Sequence, residues 1–180
     1  MLDYPSKMIK DGSRKEPVTD IASLIKSAKP QLVYTHNLAD KHDTHIGVAL
    51  RVIQALRKLD PSERPERLVG REVWRALDWM VDSDKVQMDV SSHENLQAAL
   101  LGVFDSQIVG GKRYDLASMG RRRANATYFE SHGVDLTTGL SYAMDMTPLM
   151  NDAGRDAGEY VREFIQHFAQ DVSTRIGKLG

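Results

Sequence analysis

Gln31-Leu32-Val33-Tyr34-Thr35 runs straight into His36-Asn37-Leu38-Ala39-Asp40-Lys41-His42-Asp43-Thr44-His45, and then into a stretch that ends at Leu59. The first five residues form an apolar run bounded by Pro30 and by polar residues, which predicts a short buried strand. From Thr44 to Leu59, the residues Val48, Val52, Ile53, Ala55, Leu56 and Leu59 recur at helical spacing. That pattern predicts a helix with one buried face, stopped by Asp60-Pro61-Ser62. Strand, polar turn and helix in succession are the local unit of an α/β sheet. The polar turn then lies at the carboxyl edge of a strand, where open α/β sheets hold ligands.

Working outward, Tyr4 to Pro17 shows no periodicity and reads as loop. Thr19-Asp20 caps a predicted helix through Ile21, Leu24, Ile25 and Ala28, which Lys29-Pro30 ends. Glu72–Leu77 reads as a strand, and Val86–Val90 alternates as a second one. Ser91, with Glu94 three residues on, makes a capping-box-like start for a helix to about Phe104. Tyr114–Ser131 is predicted helical and Ser141–Met146 is a short strand. Gly158–Leu179 is a terminal helix with Val161, Phe164, Ile165, Phe168, Val172 and Ile176 on one side. The expectation is one α/β domain over residues 1–180, with the C-terminal helix inside 155–180.

Composition narrows the chemistry. The chain has 180 residues, 41% of them hydrophobic and 27% charged, with a formal net charge of -1. That balance provides no general field for nucleic acid or anionic membrane. No apolar run approaches the roughly 18 residues of a membrane helix, and Met1–Lys7 lacks the apolar core of a signal peptide. A cytoplasmic protein is expected. With no cysteine, disulfide and thiolate chemistry are excluded, and a metal would need His, Asp or Glu.

Three of the six histidines lie in His36–His45. His42 and His45, three residues apart, can approach one centre in a helical turn. Neutral imidazole is a preferred ligand of zinc and similar ions, and Asp40 and Asp43 are placed to orient the rings. A solvated loop with a capping aspartate accounts for the same residues.

Asp40-Lys41-His42-Asp43-Thr44-His45 resembles the Asp-x-His-x-x-His segment of the LmbE/PIG-L family of metal-dependent N-deacetylases, with Asp-Thr where the family has Pro-Asp. Glu72-Val73-Trp74, Leu77-Asp78-Trp79 and Val86–Val90 resemble the family's paired strands. Asn95–Gln107 resembles its helix into a Ser-Gln turn, and Tyr142-Ala143 its late Tyr-Ala-Glu strand, with Met144 where the family has Glu. The resemblance spans roughly Leu2 to Pro148. It implies a Rossmann-like LmbE/PIG-L sheet with flanking helices, incomplete at the N-terminus, because the family's Ala-His-Pro-Asp-Asp-Glu motif has no counterpart here. That motif supplies two of three zinc ligands and the general base in the family, so the zinc (or other divalent metal) site is expected to be incomplete.

By the same resemblance, His45 is the metal ligand and His42 the residue that stabilises the tetrahedral intermediate, with Asp40 and Asp43 in support and His36 at the substrate rim. The implied reaction is zinc-dependent removal of an N-acetyl group from an amino sugar or similar acetamide. The implied partners are an N-acetylated sugar or glycoside, and an oligomer or a complementing N-terminal segment; nucleic acid and membrane are not expected.

Ordinary roles compete for the other residues. On the residues alone, His36 reads as a loop histidine bonded to backbone before it reads as a rim residue, and His93, His132 and His167 read as surface residues. Arg121-Arg122-Arg123 point in different directions on a helix, so they read as a solvated face with salt bridges. Trp74 and Trp79 read as packing residues, an aromatic platform for a sugar being the alternative, and the methionines as core filler. Three classes of function remain: an N-deacetylase completed from elsewhere, a catalytically dead remnant that binds carbohydrate or protein, and an unrelated small-molecule binding domain.

Overall fold

The computed structural model describes residues 2–129 and 136–180. The helices are α1 (Ser6–Lys10), α2 (Glu16–Ala28), α3 (Asp43–Lys58), α4 (Glu94–Gly102), α5 (Ser106–Val109), α6 (Tyr114–Phe129), α7 (Thr147–Asn151) and α8 (Ala157–Leu179). The strands are β1 (Leu32–His36), β2 (Arg67–Arg71), β3 (Lys85–Asp89) and β4 (Leu140–Asp145), in the sheet order β1-β2-β4-β3. β1 runs parallel to β2, and β2 antiparallel to β4, so this is a mixed α/β sheet with flanking helices. The chain forms two compact units, residues 1–86 with 143–180, and 87–142.

In the first unit, α3 packs on α1, α2, β1 and α7. Of the predicted apolar positions, Val52, Ile53, Ala55, Leu56 and Leu59 are at most 8% exposed, while Val48 is half-buried and Ala49, not among them, is fully buried. Burying a side chain of leucine size stabilises by about 1.5–3 kcal/mol, so this face carries much of the core. β1 begins and ends one residue later than expected, and it is half-buried rather than buried. It lies at the end of the strand order, beside β2, and Tyr34 is 56% exposed. β1 is therefore an edge strand of the described sheet.

Three expectations for this unit are corrected. Tyr4–Pro17 is not all loop: α1 forms there, and α2 starts at Glu16 with Pro17 in its first turn, where a missing N–H costs nothing. α1 is too short to show periodicity, and it is held by packing on α3 and by Arg51 Nε donating to the Ile9 carbonyl at 3.4 Å. The third correction is that Glu72–Leu77 is not a strand; the strand is Arg67–Arg71.

Gly70 explains why the sequence misleads there. A Cβ on Gly70 would come within 2.9 Å of Asn37 Cα and 3.0 Å of the His36 carbonyl oxygen, and would also strike Met146 Sδ. The strand needs a glycine at its next-to-last position because the turn after β1 passes close to it, and glycine weakens the strand signal. Four of the eight methionines fill the core, Met80, Met144, Met146 and Met150 being at most 2% exposed, whereas Met8, Met88 and Met119 are half-buried.

The second unit holds α4, α5 and α6. Arg123 pairs with Glu94, and Arg122 Nη1 donates to Gln97 Oε1 at 2.5 Å, as expected of arginines bonded along a solvated face. Asn125 Nδ2 donates to the Leu140 carbonyl at 3.2 Å, and Tyr142 Oη donates to the Asn125 carbonyl at 3.0 Å. The capping box does not form. Ser91–His93 is a 3-10 turn, and Ser91 Oγ accepts from Thr138 N–H at 2.9 Å instead of capping α4. α4 stops at Gly102 and α5 follows separately. The predicted helix through Ser131 is α6, which is described to Phe129; Ser131 and His132 lie outside the described residues.

Candidate functional site

The turn between β1 and α3 is built on two buried polar side chains. Asn37 is fully buried: its Oδ1 accepts from Ala39 N–H at 3.0 Å and its Nδ2 donates to the Arg71 carbonyl at 3.0 Å. It therefore closes a local turn and ties that turn to the end of β2. Asp40 is 5% exposed, and its two oxygens work separately. Oδ1 accepts from His42 N–H at 2.9 Å, and Oδ2 accepts from Trp74 N–H at 3.0 Å. Arg75 Nε also donates to the Ala39 carbonyl at 2.6 Å. The bend at residues 72–75 is thereby clamped to the histidine turn.

The three histidines come together. The His36 and His45 rings stack with centroids 3.9 Å apart and planes at 6°, and His42 and His45 stack at 4.7 Å and 25°. The His42 ring also faces Trp74 at 6.1 Å and 43°. His42 is the N-cap of α3, and its Nδ1 accepts from Thr44 N–H at 3.3 Å. An accepting Nδ1 is unprotonated, so in the neutral ring the proton sits on Nε2 and His42 presents a donor. His45 Nδ1 is buried and lies 3.5 Å from Asp40 Oδ1, facing the carboxylate without making a hydrogen bond to a described residue. Electrostatics favour an N–H there over a lone pair, which leaves the His45 Nε2 lone pair available.

The electrostatics follow from this burial. Burial alone would raise the Asp40 carboxyl; the N–H groups of His42 and Trp74, with the His45 ring, more than offset it and hold Asp40 below the usual carboxylate value. Burial, followed by the neighbouring His45 and His42 against the opposing pull of Asp40, pushes His36 down to about 4. His36 is therefore a neutral ring at physiological pH. Its Nδ1 is buried and has no hydrogen-bond partner among the described residues, so it is not the backbone-bonded loop histidine that one reading of the sequence offers.

Of the expected site residues, His36, Asp40, His42 and His45 converge. Asp43 does not: it is exposed in the first turn of α3, and no described hydrogen bond joins it to a histidine. His93 and His167 are exposed, His167 Nδ1 lying 2.9 Å from Asp84 Oδ2. Sequence reasoning misses Asn37 as the turn's anchor and Trp74 as a neighbour of His42. The Asn37 signal is legible, an Asx residue directly after a strand. Trp74's place depends on the pairing of β1 with β2, which spacing along the chain does not reveal.

The donor set fits a divalent metal only in part. No group of three His, Asp or Glu among the described residues is arranged to hold one. Stacked imidazoles hold their ring nitrogens in parallel planes. The chemistry of the set fits one ligand, His45 Nε2 with Asp40 behind it, and not a complete centre.

The comparisons with known proteins bear on the fold. The chain is similar in structure to GalB, the 4-carboxy-2-hydroxymuconate hydratase from Pseudomonas putida KT2440, with a TM-score of 0.52 and 13% identity over 74% of this chain and 59% of that one. It is likewise similar to the conserved protein TT1542 from Thermus thermophilus, with a TM-score of 0.52 and 20% identity over 71% of this chain and 58% of that one. The chain thus spans less than two thirds of either neighbour, and at these identities the likeness is one of fold. No protein family matches the sequence, and no curated protein does. Among the described residues, no helix is long and apolar enough to cross a membrane.

Proposed function

We propose that this chain carries the histidine part of a metal-dependent N-deacetylase site of the LmbE/PIG-L type, acting on an N-acetylated amino sugar or similar acetamide. The observation that carries the reading is the division of labour around Asp40. His45 turns Nδ1 to the carboxylate, the arrangement of a metal-bound imidazole with its supporting acid. His42 turns Nδ1 to the helix backbone and offers Nε2–H, the arrangement of a donor to a developing oxyanion. Zinc or another divalent ion would supply Lewis acidity and an activated water when bound. The remaining ligands and the general base would come from beyond the described residues. The fold neighbours support the scaffold and leave the substrate class to experiment.

Zinc added to the purified chain should perturb the His45 imidazole signals in NMR. His45→Ala should abolish zinc binding, and His42→Ala should leave it near normal. Zinc binding that ignores His45→Ala would overturn the ligand assignment. Acetate release from N-acetylglucosamine by the zinc-loaded chain should be little or none. Turnover in the ordinary range of ~1 to 1000 per second would contradict the incomplete site.

The chain as a catalytically dead carbohydrate-binding remnant is the second reading. The exposed indole beside His42 favours it, because such a surface binds sugar without any metal.

A further inference from the structure

Trp74 is 40% exposed, yet its backbone is firmly tied to the histidine turn. Its N–H is fixed by the buried Asp40 carboxylate at 3.0 Å, and the next residue, Arg75, is fixed to the Ala39 carbonyl at 2.6 Å. The two bonds join the 72–75 bend to the very segment that carries the histidines. As a result the indole sits 6.1 Å from the His42 ring and tilted by 43°, an aromatic wall rising beside a hydrogen-bond donor. A flat apolar surface beside a few fixed polar groups is how proteins orient polar ligands that have one apolar face.

We infer that Trp74 is the platform for the ring of the substrate, stacking against the C–H face of a pyranose so that the acetamide substituent reaches His42. The inference rests on the deacetylase reading for the identity of the substituent, but not for the binding itself. A pyranose has such an apolar face, whereas a small acyclic acetamide has none large enough to cover an indole. Trp74 is on this account a specificity-determining residue: it separates sugars from other acetamides and takes no part in bond breaking. Its position is set by Asp40, so one carboxylate organises both the histidines and the wall.

The experiment uses the full chain and two probes, methyl N-acetyl-β-glucosaminide and acetamide, each titrated to high millimolar concentration. The chain has two tryptophans, so its indole N–H signals are two, and Trp74→Phe identifies which belongs to Trp74. The glycoside should shift the Trp74 indole and leave Trp79 unmoved, and acetamide should shift neither. Trp74→Ala should weaken glycoside binding about tenfold, the size of one good aromatic contact, and Trp74→Phe should keep most of it. Both variants should leave the zinc response of His45 intact, which separates a lost platform from a lost fold.

A glycoside that does not perturb Trp74, or binds Trp74→Ala as tightly as the unaltered chain, overturns the inference. So does acetamide shifting Trp74 as strongly as the glycoside. Because no turnover is read, the outcome is independent of the deacetylase reading: glycoside binding at Trp74 without any zinc response at His45 would sustain the platform and sink the metal site.

Discussion

α3 and α8 are both amphipathic by sequence, and the ends of both fall within two residues of the expected ones, yet they behave differently. α3 buries Ala49, Ala55 and Leu56 completely. In α8, a helix of 23 residues, Tyr160 is the buried residue. The N-terminal end of α8 is anchored by Tyr160 Oη donating to the Asp145 carbonyl at 2.5 Å and by the Arg155 guanidinium 4.6 Å from the Tyr160 ring centre. Farther along, Ile165, Phe168, Val172 and Ile176 are 50%, 38%, 37% and 67% exposed. Periodicity therefore predicts that a helix forms and which face is apolar; it does not predict what covers that face. α3 is covered because it lies between β1 and the flanking helices, and that placement follows from the strand before it.

The comparison breaks most sharply at Leu56. Leu56→Ala should lower stability by about 2–5 kcal/mol, as buried leucines do, measured by denaturant unfolding. Equal stability in that variant would mean that α3 is not the core helix described. Gly70→Ala should cost less, about 1–3 kcal/mol, because the added Cβ meets the His36–Asn37 backbone and forces a small shift. It should also disturb the imidazole signals of the stack, which a change remote from the turn would not do.

Acid provides a third test. His36 has a folded pKa of about 4 against an ordinary value near 6.5, so the unfolded chain binds the proton first. Its contribution is fully present above about pH 6.5 and is lost as pH falls toward 4. Asp40, held below the usual carboxylate value, contributes stability above about pH 4 and loses it on further acidification. Stability should therefore begin to fall in the histidine range before the carboxylate range is reached, and His36→Phe should remove the first part of that fall. The smallest effect belongs to α8: Ile176→Ala should change stability by no more than about 0.5 kcal/mol. A loss of several kcal/mol there would show that the stripe is covered after all.

The same contrast explains what can be read from the residues. Leu32–Thr35 and Val48–Leu59 are legible because their patterns are long or sharply bounded. β2 is not, because its apolar pair Leu68-Val69 is followed by a glycine required by a crossing chain, while Val73-Trp74 looks strand-like and forms a bend. In the site, Asp40, His42 and His45 are legible from local spacing. The stacking of His36 and the approach of Trp74 are not, since both arise where the end of β1 meets the end of β2. Asp43 is overcounted by sequence: a carboxylate beside two histidines in the chain turns outward in the first turn of a helix, whose N-terminus favours its charge.

The central claim is that Asp40 organises the turn so that His42 and His45 present opposite nitrogens. Long-range proton–nitrogen NMR of the imidazoles, at about pH 8 where ordinary histidines are neutral, reads this directly. The account predicts His42 with its proton on Nε2 and His45 with its proton on Nδ1, and it predicts that Asp40→Ala scrambles the His45 assignment. His45 protonated on Nε2, or His42 on Nδ1, in the unaltered chain would contradict it.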